Sequence, residues 1–214
     1  MCEQGANYTT TEAMRDIVQA MGADLPPSYL PRPFDRQTNT LIIRNGPDGA
    51  KETAYARLGM PTPLAKLRPK QRVDRGQVNI ASLTYGHWWQ FMGVEHRCVI
   101  PVTQFGERDT VGETHQMIPF GLRGGATFYL AGLWTRWGSV RSQAEGFKEL
   151  DGYAIITAAA NAEVSQVHNR MPVVLLSQEG VDAWLSLPPE GAIRMQRSLP
   201  AGHIVRLDQP KGDH

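Results

Sequence analysis

The sequence is poor in cysteine and has no long apolar run. Its 214 residues include only two cysteines, Cys2 and Cys98, which are too few for a disulfide framework. No signal-peptide pattern precedes them, so we expect a cytoplasmic protein. No apolar run approaches the roughly 20 residues of a membrane-spanning helix, and the mean hydropathy is −0.35. A disulfide-rich secreted protein and an integral membrane protein are therefore excluded.

The sequence also lacks an excess of charge of one sign. Lysine and arginine number 22 against 21 aspartates and glutamates, which leaves a formal net charge of +1. Sequence-independent affinity for nucleic acid comes mainly from lysines and arginines that neutralise phosphates, so this balance argues against a strongly basic nucleic-acid binder. It leaves room for a small local basic groove. Phosphate-loop, dinucleotide-binding and Gly-x-Ser-x-Gly motifs are absent as well.

The patterns that are present predict a β-rich α+β fold in a single domain. Thr9 and Glu12 have the spacing of a capping box, and the apolar residues after them predict an amphipathic helix over 10–22. A turn-rich Asn-Gly-Pro-Asp-Gly segment separates two strand-like runs, which predicts a hairpin over 40–58. Further strands are predicted at 97–101, 128–134, 153–157, 172–176 and 203–207. Short helices are predicted at 87–92, 162–167 and 179–185.

Cys2 is the first candidate for chemistry because of its position. Removal of Met1 would leave a 1,2-aminothiol, which condenses with an aldehyde to a Schiff base and then closes to a durable thiazolidine ring. The α-amine and the thiol ordinarily have pKa values of about 8 and 8.5, so both are partly nucleophilic at neutral pH. The alternative is a chance cysteine in a frayed terminus.

Two further residues are candidates for proton transfer. Glu107 follows an apolar strand, and we expect a turn that holds its carboxylate at the rim of a pocket, where partial desolvation raises the pKa. The alternative is an exposed glutamate at a hairpin tip. His168 is expected between a short helix and a buried strand, where a proton shuttle would be held rigidly. The alternative is a structural histidine bonded to a backbone carbonyl.

An ordered set of segments between residue 2 and about 185 resembles the SOS response-associated peptidase (SRAP) family. The matching segments are Met1-Cys2, Arg97-Cys-Val-Ile-Pro101, Phe105-Gly-Glu107, Leu130-Ala-Gly-Leu-Trp134, Ile155-Ile-Thr157 with Ala160-Asn161, and His168-Asn-Arg-Met-Pro-Val173. The resemblance implies one domain over 1–214, with a compact, barrel-like antiparallel sheet core, peripheral helices and no metal or organic cofactor. It also implies that the exposed Cys2 captures abasic sites in single-stranded DNA as a thiazolidine cross-link.

The resemblance assigns a role to each matching residue. Cys2 would be the nucleophile for autocleavage and for cross-linking, and Asn79 would position the N-terminal residue and the sugar. Glu107 would help open the deoxyribose and move protons, and His168 would assist Schiff-base formation and processing. The remaining matches are assigned to DNA binding, as a phosphate contact and, more loosely, as pocket walls: Arg170, Thr157 and Pro33.

The departures from the family pattern lie on the side that would face DNA. Gln4 and Ala81 stand where the family has arginines, Glu3 replaces a glycine, and Arg57-Leu-Gly-Met-Pro61 lacks the expected tryptophan. The loss of phosphate contacts predicts weak affinity for intact DNA. Two features are candidates to replace the lost DNA contacts: Trp88 and Trp89 by stacking, and the loop with Lys66, Arg68, Lys70 and Arg72 by charge. The simpler interpretation is that the tryptophans are buried and the loop is solvated.

Two other functions remain open at this point. One is a thiol autopeptidase that acts on its own Met1 without cross-linking DNA. The other is a divergent, non-enzymatic binding module with a relict pocket. No membrane partner is expected, and protein partners are unknown.

Overall fold

The structure, a computed structural model, describes residues 4–68, 72–112 and 114–207. In this part of the chain the strands are β1 (Gln4–Asn7), β2 (Arg32–Phe34), β3 (Asn39–Asn45), β4 (Lys51–Leu58), β5 (Asn79–Ile80), β6 (Arg97–Val102), β7 (Gln104–Arg108), β8 (Met117–Leu122), β9 (Phe128–Val140), β10 (Phe147–Ala159), β11 (Arg170–Pro172), β12 (Val174–Leu175) and β13 (Ile204–Arg206). The helices are α1 (Thr11–Ala20), α2 (Gly86–Trp89), α3 (Gln178–Ser186) and α4 (Pro189–Ile193). Short 3₁₀ turns lie at Leu64–Lys66, Val94–His96 and Val164–Gln166.

Five strands close into a barrel in the order β4-β3-β6-β9-β10, because β10 pairs with both β9 and β4. The β10–β4 pair is parallel, whereas the other pairs of the barrel are antiparallel. After its contact with β4, β10 pairs in parallel with β5, so that Asn79 lies opposite Ile155. This architecture confirms the predicted β-rich α+β fold with a barrel-like core. The predicted domain extent, 1–214, stays a prediction.

A second sheet has the order β13-β8-β7-β1-β2. The edge strand β2 contains Pro33, and an edge position suits proline because its missing N–H breaks no ladder of hydrogen bonds. The first described strand, β1, lies between β2 and β7, with Gln4 opposite Gly106. This register places the start of the described chain beside the strand that carries Glu107.

The central parts of β3, β6, β9 and β10 are buried on both faces. Successive residues of a strand point to opposite faces, so Ile42 and Cys98 pack with residues of β7 and β8, whereas Ile43 and Val99 pack with residues of α1 and α3. All six residues of β6 are buried, which explains its continuous apolar sequence. Cys98 is thus a core residue, and burial raises the pKa of its thiol.

Helix α1 begins one residue later than the capping-box pattern predicts. Thr10, not Thr9, is the N-cap, and its hydroxyl accepts a hydrogen bond from the backbone N–H of Ala13 at 3.3 Å. The hydroxyl of Thr9 instead forms a hydrogen bond with the hydroxyl of Thr127 at 2.5 Å and does not cap the helix. The expected cap was therefore wrong, because two adjacent threonines offer equivalent caps and a tertiary contact selects between them.

Helix α3 is anchored to the barrel through hydrogen bonds as well as apolar contacts. The indole N–H of Trp184 donates to the carbonyl of Cys98 at 2.9 Å, and the buried guanidinium of Arg97 donates to the carbonyls of Trp184 at 2.7 Å and Leu187 at 2.5 Å. Burial lowers the pKa of Arg97. None of the helices in the described ranges combines the length and the apolar character that a membrane crossing requires.

We expect Trp184→Ala to lower the free energy of unfolding by about 3–5 kcal/mol, because it removes a fully buried aromatic side chain and its hydrogen bond. Urea denaturation monitored by circular dichroism measures this change. The matched control is Trp89→Ala, whose side chain is 47% exposed and whose removal should change stability by no more than about 0.5 kcal/mol. Equal losses for the two variants would show that α3 is not anchored as described.

Candidate active site

Glu107 lies inside strand β7 and is fully buried, at 0% exposure. The turn predicted at this position is therefore wrong. Phe105 and Glu107 alternate along β7 with the partly exposed Gly106, so the glutamate occupies a position that normally belongs to an apolar residue. Glycine and charged residues in a short segment are typical of a turn. The sequence pattern therefore does not distinguish this strand from a turn, whereas the burial of its residues in the structure does.

His168 lies between the 3₁₀ turn at Val164–Gln166 and β11, as its sequence context indicates. Its backbone N–H donates to the carbonyl of Val164 at 2.9 Å, and the side chain is buried. Ring nitrogen Nδ1 lies 3.1 Å from the backbone nitrogen of Arg170 and 3.7 Å from Oε2 of Glu107. The structure therefore brings the two proton-transfer candidates together, one from strand β7 and one from the loop before β11.

Burial lowers the pKa of His168, so its imidazole is neutral at neutral pH. Nδ1 lies 3.1 Å from the carbonyl oxygen of Arg170 as well as from its N–H, and which of these is bonded depends on the ring tautomer. These backbone contacts of Nδ1 fix the orientation of the ring.

Asn79 lies in the two-residue strand β5 and is 5% exposed. Neither Oδ1 nor Nδ2 of its amide has a hydrogen-bond partner among the described residues. A buried polar group without a partner typically costs about 1–3 kcal/mol, so this amide is unfavourable for stability within the described part of the chain. The amide is hydrogen-bonded to neither Glu107 nor His168 in this part of the chain.

Arg170 connects the start of β11 to the segment that follows Asn79. Its guanidinium donates to the hydroxyl of Thr157 at 2.9 Å, to the carbonyl of Thr157 at 2.5 Å and to the carbonyl of Ala81 at 3.0 Å. These partners are neutral oxygens, so the hydrogen bonds orient the cation without neutralising its charge. Burial lowers the pKa of Arg170, which nevertheless stays protonated at neutral pH.

Thr157 is 2% exposed, and its hydroxyl and carbonyl oxygens accept hydrogen bonds from Arg170. Gln196 was not predicted from the sequence: its Nε2 donates to the carbonyl of Thr157 at 2.8 Å, and its Oε1 accepts from the N–H of Leu83 at 3.1 Å. Gln196 thereby joins the chain after β5 to β10. A lone glutamine beyond a short helix gives no sequence signal for such a role.

Pro33 lies on the far side of β1 from Glu107. It is exposed and lines a groove of about 390 Å³ together with Gln4 and Gly106. The structure therefore separates Pro33 by one strand from β7, which carries Glu107. Cys2 and Glu3 lie outside the described residues.

The simpler interpretation, in which both tryptophans are buried and the basic loop is solvated, does not hold for Trp89. Trp88 is buried at 3% exposure, but Trp89 is 47% exposed, so only one of the two belongs to the core. Lys66 and Arg68 are exposed, and Lys70 lies outside the described residues. Within 4–68, 72–112 and 114–207, no three histidine, cysteine, aspartate or glutamate side chains are grouped so as to hold a metal ion.

A five-stranded barrel and a buried Glu107–His168 pair 3.7 Å apart thus define a compact β-rich class of protein. The family model for SOS response associated peptidase (SRAP) matches residues 1–204, and the chain belongs to this family. Membership supports a DNA-damage-related role. No curated protein matches the chain.

Solved structures share the fold across nearly the whole chain. A protein from Bordetella bronchiseptica has a TM-score of 0.71 at 22% identity, covering 97% of this chain and 100% of its own. A protein from Bacteroides thetaiotaomicron has a TM-score of 0.65 at 18% identity, with coverage of 96% and 90%. A phage-related protein from Bordetella bronchiseptica has a TM-score of 0.64 at 23% identity, with coverage of 97% and 95%.

We expect Asn79→Leu to leave the free energy of unfolding unchanged or to raise it by about 1 kcal/mol. The substitution replaces a buried, unpartnered amide by an apolar group of similar shape. Thr157→Val is the matched control, because it removes a hydroxyl that is hydrogen-bonded to Arg170 and should cost about 1–2 kcal/mol. Chemical denaturation of both variants measures the difference. A clear destabilisation by Asn79→Leu would show that the amide is already hydrogen-bonded.

Proposed function

We propose that this SRAP-family chain captures abasic sites in single-stranded DNA as a covalent thiazolidine cross-link through Cys2, after release of Met1. The observation that carries the proposal is the buried pair Glu107 and His168, 3.7 Å apart, beside the strand that continues from Cys2. A fully buried carboxylate next to a buried imidazole is a typical acid–base arrangement.

Chain connectivity supports the role of Cys2 as the nucleophile. Two peptide units separate Cys2 from Gln4, so their Cα atoms are at most about 7 Å apart in any conformation. Gln4 pairs with Gly106, the residue before Glu107. The covalent chain thus keeps the aminothiol within reach of the acid–base pair.

The proposed chemistry balances without an external reagent other than water. Hydrolysis of the Met1–Cys2 peptide bond consumes one water and frees the α-amine. The amine adds to the aldehyde carbon of the ring-opened deoxyribose, and loss of one water gives the Schiff base. The thiolate sulfur then bonds to the imine carbon while the imine nitrogen takes up a proton, which closes the thiazolidine.

The buried residues divide the proton transfers between them. His168, neutral at neutral pH, accepts the proton that the amine loses as it adds to the aldehyde. Glu107 exchanges protons with the sugar oxygen as the ring opens. The amide of Asn79 supplies one donor and one acceptor to the N-terminal residue or the sugar, which accounts for its lack of a partner among the described residues.

Arg170 is the proposed phosphate contact. Its hydrogen bonds to neutral oxygens hold the guanidinium in place, so a phosphate meets a cation that is already oriented. Gln4 and Ala81 are exposed and uncharged, so neither adds a phosphate contact, and affinity for undamaged DNA should therefore be weak.

We expect wild-type protein mixed with single-stranded DNA that carries one abasic site to give a shifted band on a denaturing gel. Cys2→Ser, from which Met1 is removed by a methionine aminopeptidase, has the free amine but cannot close the thiazolidine, so its adduct should survive the gel only after borohydride reduction. Cys98→Ala, which removes the other cysteine, should retain the stable band.

Intact mass separates the outcomes of this experiment. If Met1 is lost but no stable, Cys2-dependent band forms, the results support an autopeptidase that does not cross-link DNA. If Met1 is retained and no band forms, they support a non-enzymatic binding module. Either result contradicts the proposed cross-linking function.

We expect His168→Gln to slow cross-linking about 100-fold at pH 7.5, the lower end of the effect usual for a lost general base. Burial lowers the pKa of His168 below 6.5, so the wild-type base is lost only as the pH falls below that value. The ratio of wild-type to variant rates should therefore be constant above pH 6.5 and decline below it. Protonation of the α-amine affects both proteins and cancels in the ratio.

His203→Gln is the control, because His203 is exposed and lies outside the site. Its rates should follow the wild type at every pH. A pH-independent ratio for His168→Gln would show that His168 only supports the structure.

A further inference from the structure

Four arginines surround one groove away from the Glu107–His168 pair. The groove has a volume of about 450 Å³, and its lining includes one carboxylate, Glu145, together with Arg36, Arg57, Arg75 and Arg141. A chain whose net charge is +1 therefore concentrates positive charge at this place. Either structural contacts within the chain or a bound anion must account for this concentration of positive charge.

Close backbone packing brings the arginines together. Gly59 has a φ of +126° and Gly76 a φ of +82°, both in the left-handed region that favours glycine. A Cβ on Gly59 would lie 2.7 Å from the carbonyl oxygen of Arg75 and 3.0 Å from Nη1 of Arg141. The two glycines thus allow the end of β4 to cross the segment before β5 with the arginines beside it.

Part of the positive charge has a structural role. Arg141 is 7% exposed and donates to the carbonyls of Leu58 at 2.9 Å and Gly59 at 2.6 Å. Its pKa is lowered to about 10, chiefly by burial and then by the neighbouring charges of Arg57 and Arg36, against the opposing effect of Asp74 and Glu145. The groove therefore holds cations that repel one another.

Arg57 shows that the internal contacts do not use all of the donors. Its Nη1 donates to Glu145 at 2.6 Å and its Nη2 to the carbonyl of Arg36 at 3.4 Å. Its Nε is buried and has no hydrogen-bond partner among the described residues. An anion in the groove would accept such donors and reduce the repulsion between the guanidinium groups.

We propose that this arginine groove is a second phosphate-binding site. Guanidinium groups match the geometry of phosphate oxygens, and a cluster of them favours a doubly charged or polymeric phosphate over a carboxylate. The phosphate comes either from a DNA backbone or from a free phosphate compound. The DNA source rests on the proposed function.

The topology favours the DNA source. Along β10, Gly152 pairs with Arg57 and Ile155 pairs with Asn79. Three residues of strand span about 10 Å, so the arginine groove and the candidate active site lie on neighbouring stretches of one strand. A DNA strand held at the active site has backbone phosphates within this range.

The test uses intact single-stranded DNA without an abasic site, so it does not depend on cross-linking. We expect the double variant Arg36→Gln/Arg75→Gln to bind a labelled oligonucleotide about tenfold more weakly at low salt in fluorescence anisotropy. The slope of log K against log salt should become shallower by about 0.7 for each lost phosphate contact. Arg141 is left unchanged because its hydrogen bonds hold the strand ends.

The double variant Arg15→Gln/Arg123→Gln is the control, since it removes the same charge from exposed arginines outside the groove. A second arm measures the melting temperature with inorganic pyrophosphate. If pyrophosphate stabilises the wild type by several degrees but not the groove variant, and DNA binding is unchanged, the site takes free phosphate compounds. If both double variants behave alike in both arms, the proposal is overturned.

Failure of the groove and failure of the active site are distinguishable in these experiments. The groove variant retains Cys2, Glu107 and His168, so at saturating protein it should still form the cross-linked band on abasic DNA. Absence of that band from the wild type would reject the cross-linking function and leave the phosphate measurements valid.

Discussion

The antiparallel pairing of β1 with β7 is the contact on which the candidate site depends. It sets Gln4, the first described residue, opposite Gly106 and thereby beside Glu107, which is more than 100 positions away in the sequence. Because register in a sheet has a period of two, a slip of one residue would turn Glu107 to the opposite face. The pairing of β1 with β2 on its other side, and of β7 with β8, holds this register.

The barrel strands were predictable from sequence because both of their faces are buried, which gives continuous apolar runs such as β6. The hairpin of β3 and β4 was predictable from its turn residues. Strand β7 was not, since Glu107 occupies a core position that the pattern treats as a turn. Site residues on short strands, such as Asn79, become recognisable only by family resemblance, because two residues carry no periodicity.

Buried polar groups in this molecule fall into two kinds. The guanidinium groups of Arg97 and Arg141 donate to backbone carbonyls that close strand and helix ends, so their burial is part of the architecture. The amide of Asn79 and Nε of Arg57 have no such partner among the described residues. Nε of Arg97 and Nε1 of Trp134 also lack a hydrogen-bond partner in this part of the chain, so an unsatisfied donor occurs in the scaffold as well. An unsatisfied buried donor is unfavourable, but it points to a ligand only where it lies beside a groove or a pair of titratable groups.

Net charge is a poor guide to where this chain meets an anion. The +1 balance argues only against strong, sequence-independent binding over the whole surface. Locally, Arg170 is an oriented cation bonded to neutral oxygens of Thr157 and Ala81, whereas the groove on the neighbouring stretch of β10 combines four arginines with one glutamate. Phosphate recognition depends on such short-range clusters, because screening at physiological salt limits exposed charges to about 8 Å. A near-neutral chain can therefore hold a phosphate backbone at defined points while it binds undamaged DNA weakly.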